Sequence, residues 1–176
     1  MFNSFRSGMF ASVFVLCFAA QAFGQGADTP FQVRAYAGLK PHDAVTVINT
    51  GASNAELCAN AYALSATTGD VLDCCSCPVA PNAMVSIPII DDLLEHQKPK
   101  SKNVVIKVMA TQVPPGFCDP SNVSGTSNNL VTGMVASQGE LPFSASTLSA
   151  GELARLNGQC GAAHQSGFGC FACPIN

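Results

Sequence analysis

The chain has 176 residues, of which only 11% are charged, and its formal net charge is −3 at pH 7. Typical soluble domains have about 25% charged residues, so electrostatic steering of a charged ligand is a poor expectation here. The eight basic residues are scattered along the chain except for Lys98, Lys100 and Lys102, and Trp is absent. Nucleic-acid binding needs a basic face or stripe, and this composition therefore argues against a nucleic-acid partner.

The N-terminal segment has the pattern of a secretory signal peptide. A basic start is followed by an apolar run over residues 9–22 and then by small residues. The run is shorter than the ~20 residues that a helix needs to cross a bilayer, although a retained N-terminal anchor is the alternative. Cleavage fits after Ala22 or after Gly24, and we favour Gly24, which starts the mature chain at Gln25. We predict a signal peptide over residues 1–24, no membrane span after its cleavage, and a secreted or periplasmic protein.

The number of cysteines supports the same compartment. The chain has nine cysteines, and Cys17 lies inside the predicted signal peptide. An even number of cysteines in an exported protein indicates a disulfide framework. We predict that the eight remaining cysteines form disulfides, namely Cys58, Cys74, Cys75, Cys77, Cys118, Cys160, Cys170 and Cys173.

Strand geometry limits how these cysteines pair. Neighbouring residues of a strand face opposite sides of a sheet, so Cys74 and Cys75 should have different partners, whereas Cys75 and Cys77 should share a face. Residues 67–70 have the composition of a hairpin turn, which would bring Cys58 near Cys77. We therefore expect a Cys58–Cys77 disulfide.

Alternation of apolar and polar residues predicts a series of short strands. Within them, Pro88 indicates an edge strand or a bulge, because proline cannot donate to a ladder. Residues 114–129 are rich in Pro, Gly, Ser and Asn and predict a long loop. The expected strands cover residues 31–36, 44–49, 57–65, 71–77, 84–89, 103–110 and 130–136.

Two segments predict helical structure. Residues 91–95 are compatible with a single helical turn. Ser149 and Glu152 have the spacing of a capping box, which predicts a helix from there to about Gln159. One face of this helix would carry apolar residues, namely Leu148, Leu153, Ala154, Leu156 and Cys160.

Two stretches resemble known groups of proteins. Residues 43–51, DAVTVINTG, are similar to a strand and turn that recur in immunoglobulin-like modules of exported bacterial proteins. The sequences LCANAY at 57–62 and CCSCPV at 74–79, with residues 149–153 and the Cys-rich tail, resemble a group of uncharacterised exported bacterial proteins. This resemblance implies a compartment and an architecture, and it implies no chemistry.

The expected fold is mainly β: a disulfide-stabilised antiparallel β-sandwich, immunoglobulin-like, with one short C-terminal helix. Seven or so short strands separated by turns, with few helices, argue against a parallel α/β sheet. We expect residues 25–176 to form a single domain with a helical and Cys-rich C-terminal extension.

Three sets of cysteines invite other chemistry. Cys160, His164, Cys170 and Cys173 could supply four tetrahedral zinc ligands, although two disulfides are the simpler interpretation. Three cysteines close together in one strand could bind Cu(I) as thiolates, namely Cys74, Cys75 and Cys77. The C-x-x-C at 170–173 resembles a redox motif, but no helix is expected to follow it.

Four common catalytic and nucleotide-binding motifs are absent from the sequence. It lacks G-x-S-x-G, H-E-x-x-H, a P-loop and G-x-G-x-x-G. His42 or His96 could meet an acidic residue in space, with Asp43, Asp91 and Asp92 as the candidates. No cofactor is predicted.

The leading hypothesis is an exported, non-catalytic β-sandwich module that acts in surface structure, adhesion or ligand binding. Its partner is unknown, and a protein or a surface glycan would fit. One alternative is a Cys/His metal-binding protein of the envelope. A second alternative is a hydrolase whose site forms only in space.

Overall fold

The computed structural model describes residues 30–113, 117–123 and 130–163. This part of the chain is mainly β, as the sequence predicts, and it has one α-helix near its C-terminal end. No helix in these ranges is long and apolar enough to cross a membrane. The elements are β1 (Phe31–Ala37), β2 (Ala44–Asn49), β3 (Leu57–Ser65), β4 (Val71–Val79), β5 (Met84–Pro88), β6 (Asn103–Gln112), β7 (Met134–Gln138), β8 (Leu141–Pro142), β9 (Ser144–Ala145) and α1 (Ala150–Ala163).

The strands form two antiparallel sheets. Sheet A has the order β4-β3-β6-β1-β9, and sheet B has the order β5-β2-β7-β8. Strand β5, which contains Pro88, is an edge strand of sheet B, so the expectation for that proline is confirmed. The immunoglobulin-like topology stays a prediction.

The main core lies between the two sheets. In β3, alternation divides the side chains as predicted: Leu57, Ala59, Ala61 and Ala63 join this core, together with Val45 and Ile87 of sheet B. The other face of β3 belongs to a second apolar cluster on the outer side of sheet A. Strand β3 is therefore buried on both faces, and each fully buried Leu or Ile contributes about 1.5–3 kcal/mol relative to its exposed state.

Helix α1 covers the outer face of sheet A. Ser149 Oγ accepts a hydrogen bond from the backbone N–H of Glu152 at 3.1 Å, so Ser149 caps the helix as predicted. Leu153 and Leu156 pack on Tyr62 and its neighbours in the second cluster. Ala154 is exposed, which contradicts its expected place on the buried face, because the buried positions follow the spacing Leu153, Leu156 and Cys160.

Besides shifts of a few residues at the ends of several elements, three features differ from the sequence prediction. Strand β7 begins at Met134, since Gly133 adopts φ +103° and interrupts the predicted strand, and Leu130 forms only an isolated bridge with Thr111. The predicted helical turn is a π-helical turn at Ile89–Leu93, whose two end residues are buried. The two-residue strands β8 and β9 are too short to show a period.

Two disulfides join described residues, Cys58 to Cys118 and Cys74 to Cys160. The expected Cys58–Cys77 bond is wrong. In the register of β3 and β4, Ala59 lies opposite Cys77, so Cys58 points to the other side of sheet A. Cys75 and Cys77 are disulfide-bonded as well. Residues 1–24, His164, Cys170 and Cys173 lie outside the described residues.

Candidate functional site: the open face of sheet B

The two outer faces of the sandwich differ sharply. Helix α1 and Val123 cover the outer face of sheet A, and both disulfides between described residues attach to strands of this sheet. On the outer face of sheet B, Met84 is 69% exposed and Ile48 is 36% exposed. One side of the sandwich is therefore covered and cross-linked, and the other side is open to solvent.

The open face is uncharged and carries an apolar row. Ile48 lies between Met84 of β5 and Val135 of β7, because it is paired with both. Thr46 lies likewise between Ser86 and Ser137. We define the open face by the outward residues of sheet B, which are Ala44, Thr46, Ile48, Met84, Ser86, Pro88, Val135, Ser137 and Pro142.

The alternation of β2 determines which of its side chains form the open face. Val45, Val47 and Asn49 are buried inward, and the residues between them point outward. Asn49 holds the end of the strand: its Nδ2 donates to the carbonyls of Ala55 and Val79, both at 2.9 Å. A slip of one residue would bury the outward set, so this buried network keeps the register.

The chemistry of the open face favours a weakly charged protein surface. A partner that buried a charged group here would desolvate it without an opposite charge on this face, which is costly. Three strands of five or six residues and the two-residue β8 cover roughly 270 Å² in plan. A standard interface buries about 800 Å² on each partner, so we expect this face to give a weak or repeated contact.

A histidine and a buried aspartate meet at the edge of sheet A. Asp73 in β4 is 1% exposed, and its Oδ2 lies 3.3 Å from Nδ1 of His96, whose side chain is 44% exposed. Oδ2 of Asp73 also accepts from the backbone N–H of His96 at 3.1 Å, and Oδ1 accepts from the N–H of Cys74 at 2.9 Å. The carboxylate thus fixes the orientation of a solvent-accessible imidazole, an arrangement that serves in acid–base catalysis.

A second polar group lies between the sheets near β1 and β7. The Tyr36 hydroxyl and Nε of Arg34 are buried without a hydrogen-bond partner. Burial raises the pKa of Tyr36 well above its usual value; nearby Arg34 lowers it, and Asp43 raises it further. The Asp43 carboxylate accepts from the N–H of Lys40 at 2.8 Å and from Nε2 of Gln138 at 2.9 Å.

Two of the other acidic candidates, Asp43 and Asp91, contact residues that are not histidines. His42 lies in the turn before β2, and the hydrogen bonds to Asp43 come from Lys40 and Gln138 instead. Oδ1 of the exposed Asp91 lies 3.9 Å from Nζ of Lys100. The carboxylate that lies 3.3 Å from the His96 ring belongs to Asp73, which was not among the acidic candidates of the sequence.

The disulfides remove two of the candidate metal sites. Cys160 is bonded to Cys74, so the zinc set of Cys160, His164, Cys170 and Cys173 is wrong as a four-ligand site. The Cu(I) hypothesis for Cys74, Cys75 and Cys77 is wrong because all three are disulfide-bonded and are not thiolates. In the ranges that the structure describes, no group of three or more His, Cys, Asp or Glu residues is arranged to hold a metal ion.

Sequence reasoning missed Asp73 and the open face. The signal for Asp73 was present, because a carboxylate inside an apolar strand must find buried partners. The open face has no such signal, since Ile48, Met84 and Val135 lie in three separate strands and each stands beside an inward apolar residue. Their proximity follows only from the order of strands in sheet B.

Comparisons of the chain with protein-family models, with curated proteins and with solved structures found no match. The functional assignment therefore depends on the geometry of the open face and of the Asp73–His96 pair.

Proposed function

We propose that the chain is an exported, non-catalytic β-sandwich module that binds another protein through the open face of sheet B. The observation that carries this proposal is the difference between the two outer faces: α1 covers sheet A, and Met84 and Ile48 remain exposed on sheet B. Exposed apolar residues that adjoin in a sheet are a common feature of protein interaction sites.

Export is part of the proposal. The signal peptide pattern in residues 1–24 and the disulfides Cys58–Cys118 and Cys74–Cys160 support it, since disulfides persist in oxidising compartments. A secreted or periplasmic location would keep these bonds oxidised.

The proposed partner is a protein surface of low charge with apolar side chains at its centre. The row of Met84, Ile48 and Val135 would form the centre of the contact, and the serine and threonine hydroxyls beside it would bind polar groups at the rim. A glycan partner is less favoured because the open face has no aromatic ring. A nucleic acid is disfavoured because the face has no cation.

Site-specific photo-crosslinking tests the proposal. A photoreactive residue is placed at Ser86 on the open face or at exposed Thr67 in the β3–β4 turn, in the full chain, within the cells that produce it. We expect one defined protein to be cross-linked from Ser86 and none from Thr67. Adding Ile48→Lys should abolish this cross-link, whereas the control substitution Thr67→Lys should leave it.

Three results would contradict the proposal. Equal cross-linking from Ser86 and Thr67 would show that the partner does not bind specifically to the open face. Cross-linking only to further copies of this chain would show that the open face serves self-assembly and does not bind another protein. If the cross-link from Ser86 persists in Ile48→Lys and the unfolding free energy of this variant is unchanged, the apolar row does not form the contact.

A hydrolase is the second candidate, and the Asp73–His96 pair is the observation that favours it. An imidazole oriented by a carboxylate can activate a serine or threonine hydroxyl within hydrogen-bonding distance. A serine-directed acylating or phosphonylating probe should then label the purified protein, and His96→Gln should lose the label. Absence of labelling in the wild-type protein would contradict this candidate.

A further inference from the structure

Cys75 and Cys77 face the core between the sheets from an edge strand. Cys75 is 2% exposed and Cys77 is 0% exposed, and both are disulfide-bonded. They belong to the core between the sheets, whereas Cys74 lies in the cluster under α1 on the opposite face of β4. The partners of Cys75 and Cys77 must therefore approach from the inner side of sheet A.

These two cysteines are not suited to bond to each other. The pairing of β3 with β4 runs without a bulge from Leu57↔Val79 to Ala63↔Asp73, so β4 is regular at both cysteines. Positions i and i+2 of a regular strand lie about 6.6 Å apart with nearly parallel Cα–Cβ bonds. A disulfide needs the two Cβ atoms about 3.5–4.5 Å apart, which this geometry does not allow.

The other cysteines within the described residues already form disulfides with each other. Cys58 is bonded to Cys118, and Cys74 is bonded to Cys160. After removal of the signal peptide, the only further cysteines of the chain are Cys170 and Cys173. We propose that Cys75 and Cys77 each form a disulfide with one of these two, so that the C-x-C of β4 binds the C-x-x-C of the tail.

The length of the chain permits this connection. The Cα atoms of Cys74 and Cys160 are 5.8 Å apart, which places Cys160 close to Cys75 along β4. Helix α1 ends at Ala163, and the seven residues from there to Cys170 can span up to about 25 Å. Strand β4 is an edge strand of sheet A, so the tail can pass around it to the inner side without threading through a loop.

The chemistry is ordinary thiol–disulfide exchange. Four thiols become two disulfides, with loss of four protons and four electrons. The electrons pass to two disulfides of an oxidoreductase or of a small-molecule disulfide in the oxidising compartment, and each of these becomes a dithiol. In the mature protein the C-x-x-C is then a structural cross-link that closes the side of the sandwich next to β4.

Thiol counting in variants tests the pairing. The full secreted chain is unfolded without reduction, alkylated and sequenced by tandem mass spectrometry. In Cys170→Ser/Cys173→Ser we expect two alkylated thiols, at Cys75 and Cys77, while Cys58, Cys118, Cys74 and Cys160 stay blocked. The matched control Cys58→Ser/Cys118→Ser should leave Cys75 and Cys77 blocked.

A measurement on the non-reduced wild-type protein tests the same pairing even if the variants misfold. Fragmentation of the non-reduced wild-type protein should give cross-linked fragments that join residues 75–77 to residues 170–173. A Cys75–Cys77 bond, a bond from either cysteine to Cys17, or alkylation of Cys170 and Cys173 in the wild-type protein would overturn the proposal. None of these results depends on the role of the open face.

Discussion

The side-chain amide of Gln32 on β1 bonds to the backbone of Ala136 in the opposite sheet. Its Oε1 accepts from the N–H of Ala136 at 2.9 Å, and its Nε2 donates to the carbonyl of Met134 at 2.6 Å. Strand β8 pairs only with the end of β7, at Ser137 and Gln138. Gln32 therefore supplies the ladder partners that β7 lacks on this side, and it ties the two sheets together.

Replacing Gln32 by leucine should cost about 3 kcal/mol, because it leaves a buried N–H and a buried carbonyl of β7 unpaired. Denaturant unfolding of the oxidised protein measures the loss. Gln112→Leu at the exposed end of β6 is the control and should change the stability by less than about 0.5 kcal/mol. Equal stability of the Gln32 and Gln112 variants would refute the bridging role.

Loss of the Cys74–Cys160 bond should weaken the attachment of α1. The bond joins residues separated by 86 positions, and the chain-entropy account gives a loss of about 4–5 kcal/mol for a loop of that size. We expect Cys74→Ala/Cys160→Ala to expose α1 amides to hydrogen exchange well before those of β6. Loss of Cys58–Cys118 is the matched control and should leave α1 protected. Unchanged exchange in α1 would contradict the expectation.

The stability should fall with rising pH above about 10. Burial raises the pKa of both tyrosines, Tyr36 and Tyr62, and Asp119 adds to the effect at Tyr62. The folded state keeps phenol protons that the unfolded chain loses, so each tyrosine should lower the unfolding free energy by about 1.4 kcal/mol per pH unit. Below the usual tyrosine pKa of 10.0, both states are protonated and these groups give no pH dependence.

Tyrosinate absorbance separates the two contributions, because the chain has two tyrosines and no tryptophan. Tyr36→Phe and Tyr62→Phe should each remove about half of the alkaline slope. If the alkaline slope of the unfolding free energy persists in the variant that lacks both tyrosines, groups other than Tyr36 and Tyr62 cause it.

Asp73 should matter more for stability than His96. The buried carboxylate accepts hydrogen bonds from two backbone N–H groups, of His96 and of Cys74, so Asp73→Asn should cost about 2–3 kcal/mol. The His96 side chain is 44% exposed, and His96→Ala should cost less than about 1 kcal/mol. Chemical unfolding of both variants decides this. Equal losses would show that the contact with the imidazole dominates, and would point to a structural role for the ring.

Local features were readable from the sequence because they follow from backbone geometry. Alternation in β3 separated two sets of side chains. The structure places Leu57, Ala59, Ala61 and Ala63 in the core between the sheets, and it places Tyr62 and Leu64 of the other set in the cluster under α1. The same rule separated Cys74 from Cys75. Ser149 marked the start of α1 because a hydroxyl at that position satisfies an N–H that the helix leaves free.

Local sequence patterns were enough to predict a mainly β chain with cysteines on both faces of β4. Three long-range relationships became visible in the folded chain alone: Cys58 bonds to Cys118, His96 contacts Asp73, and Ile48 lies between Met84 and Val135. This difference arises from the range of the interactions. The face on which a side chain lies is set by a two-residue period, whereas its neighbours across the sheet are set by a strand order that depends on the packing of the whole core.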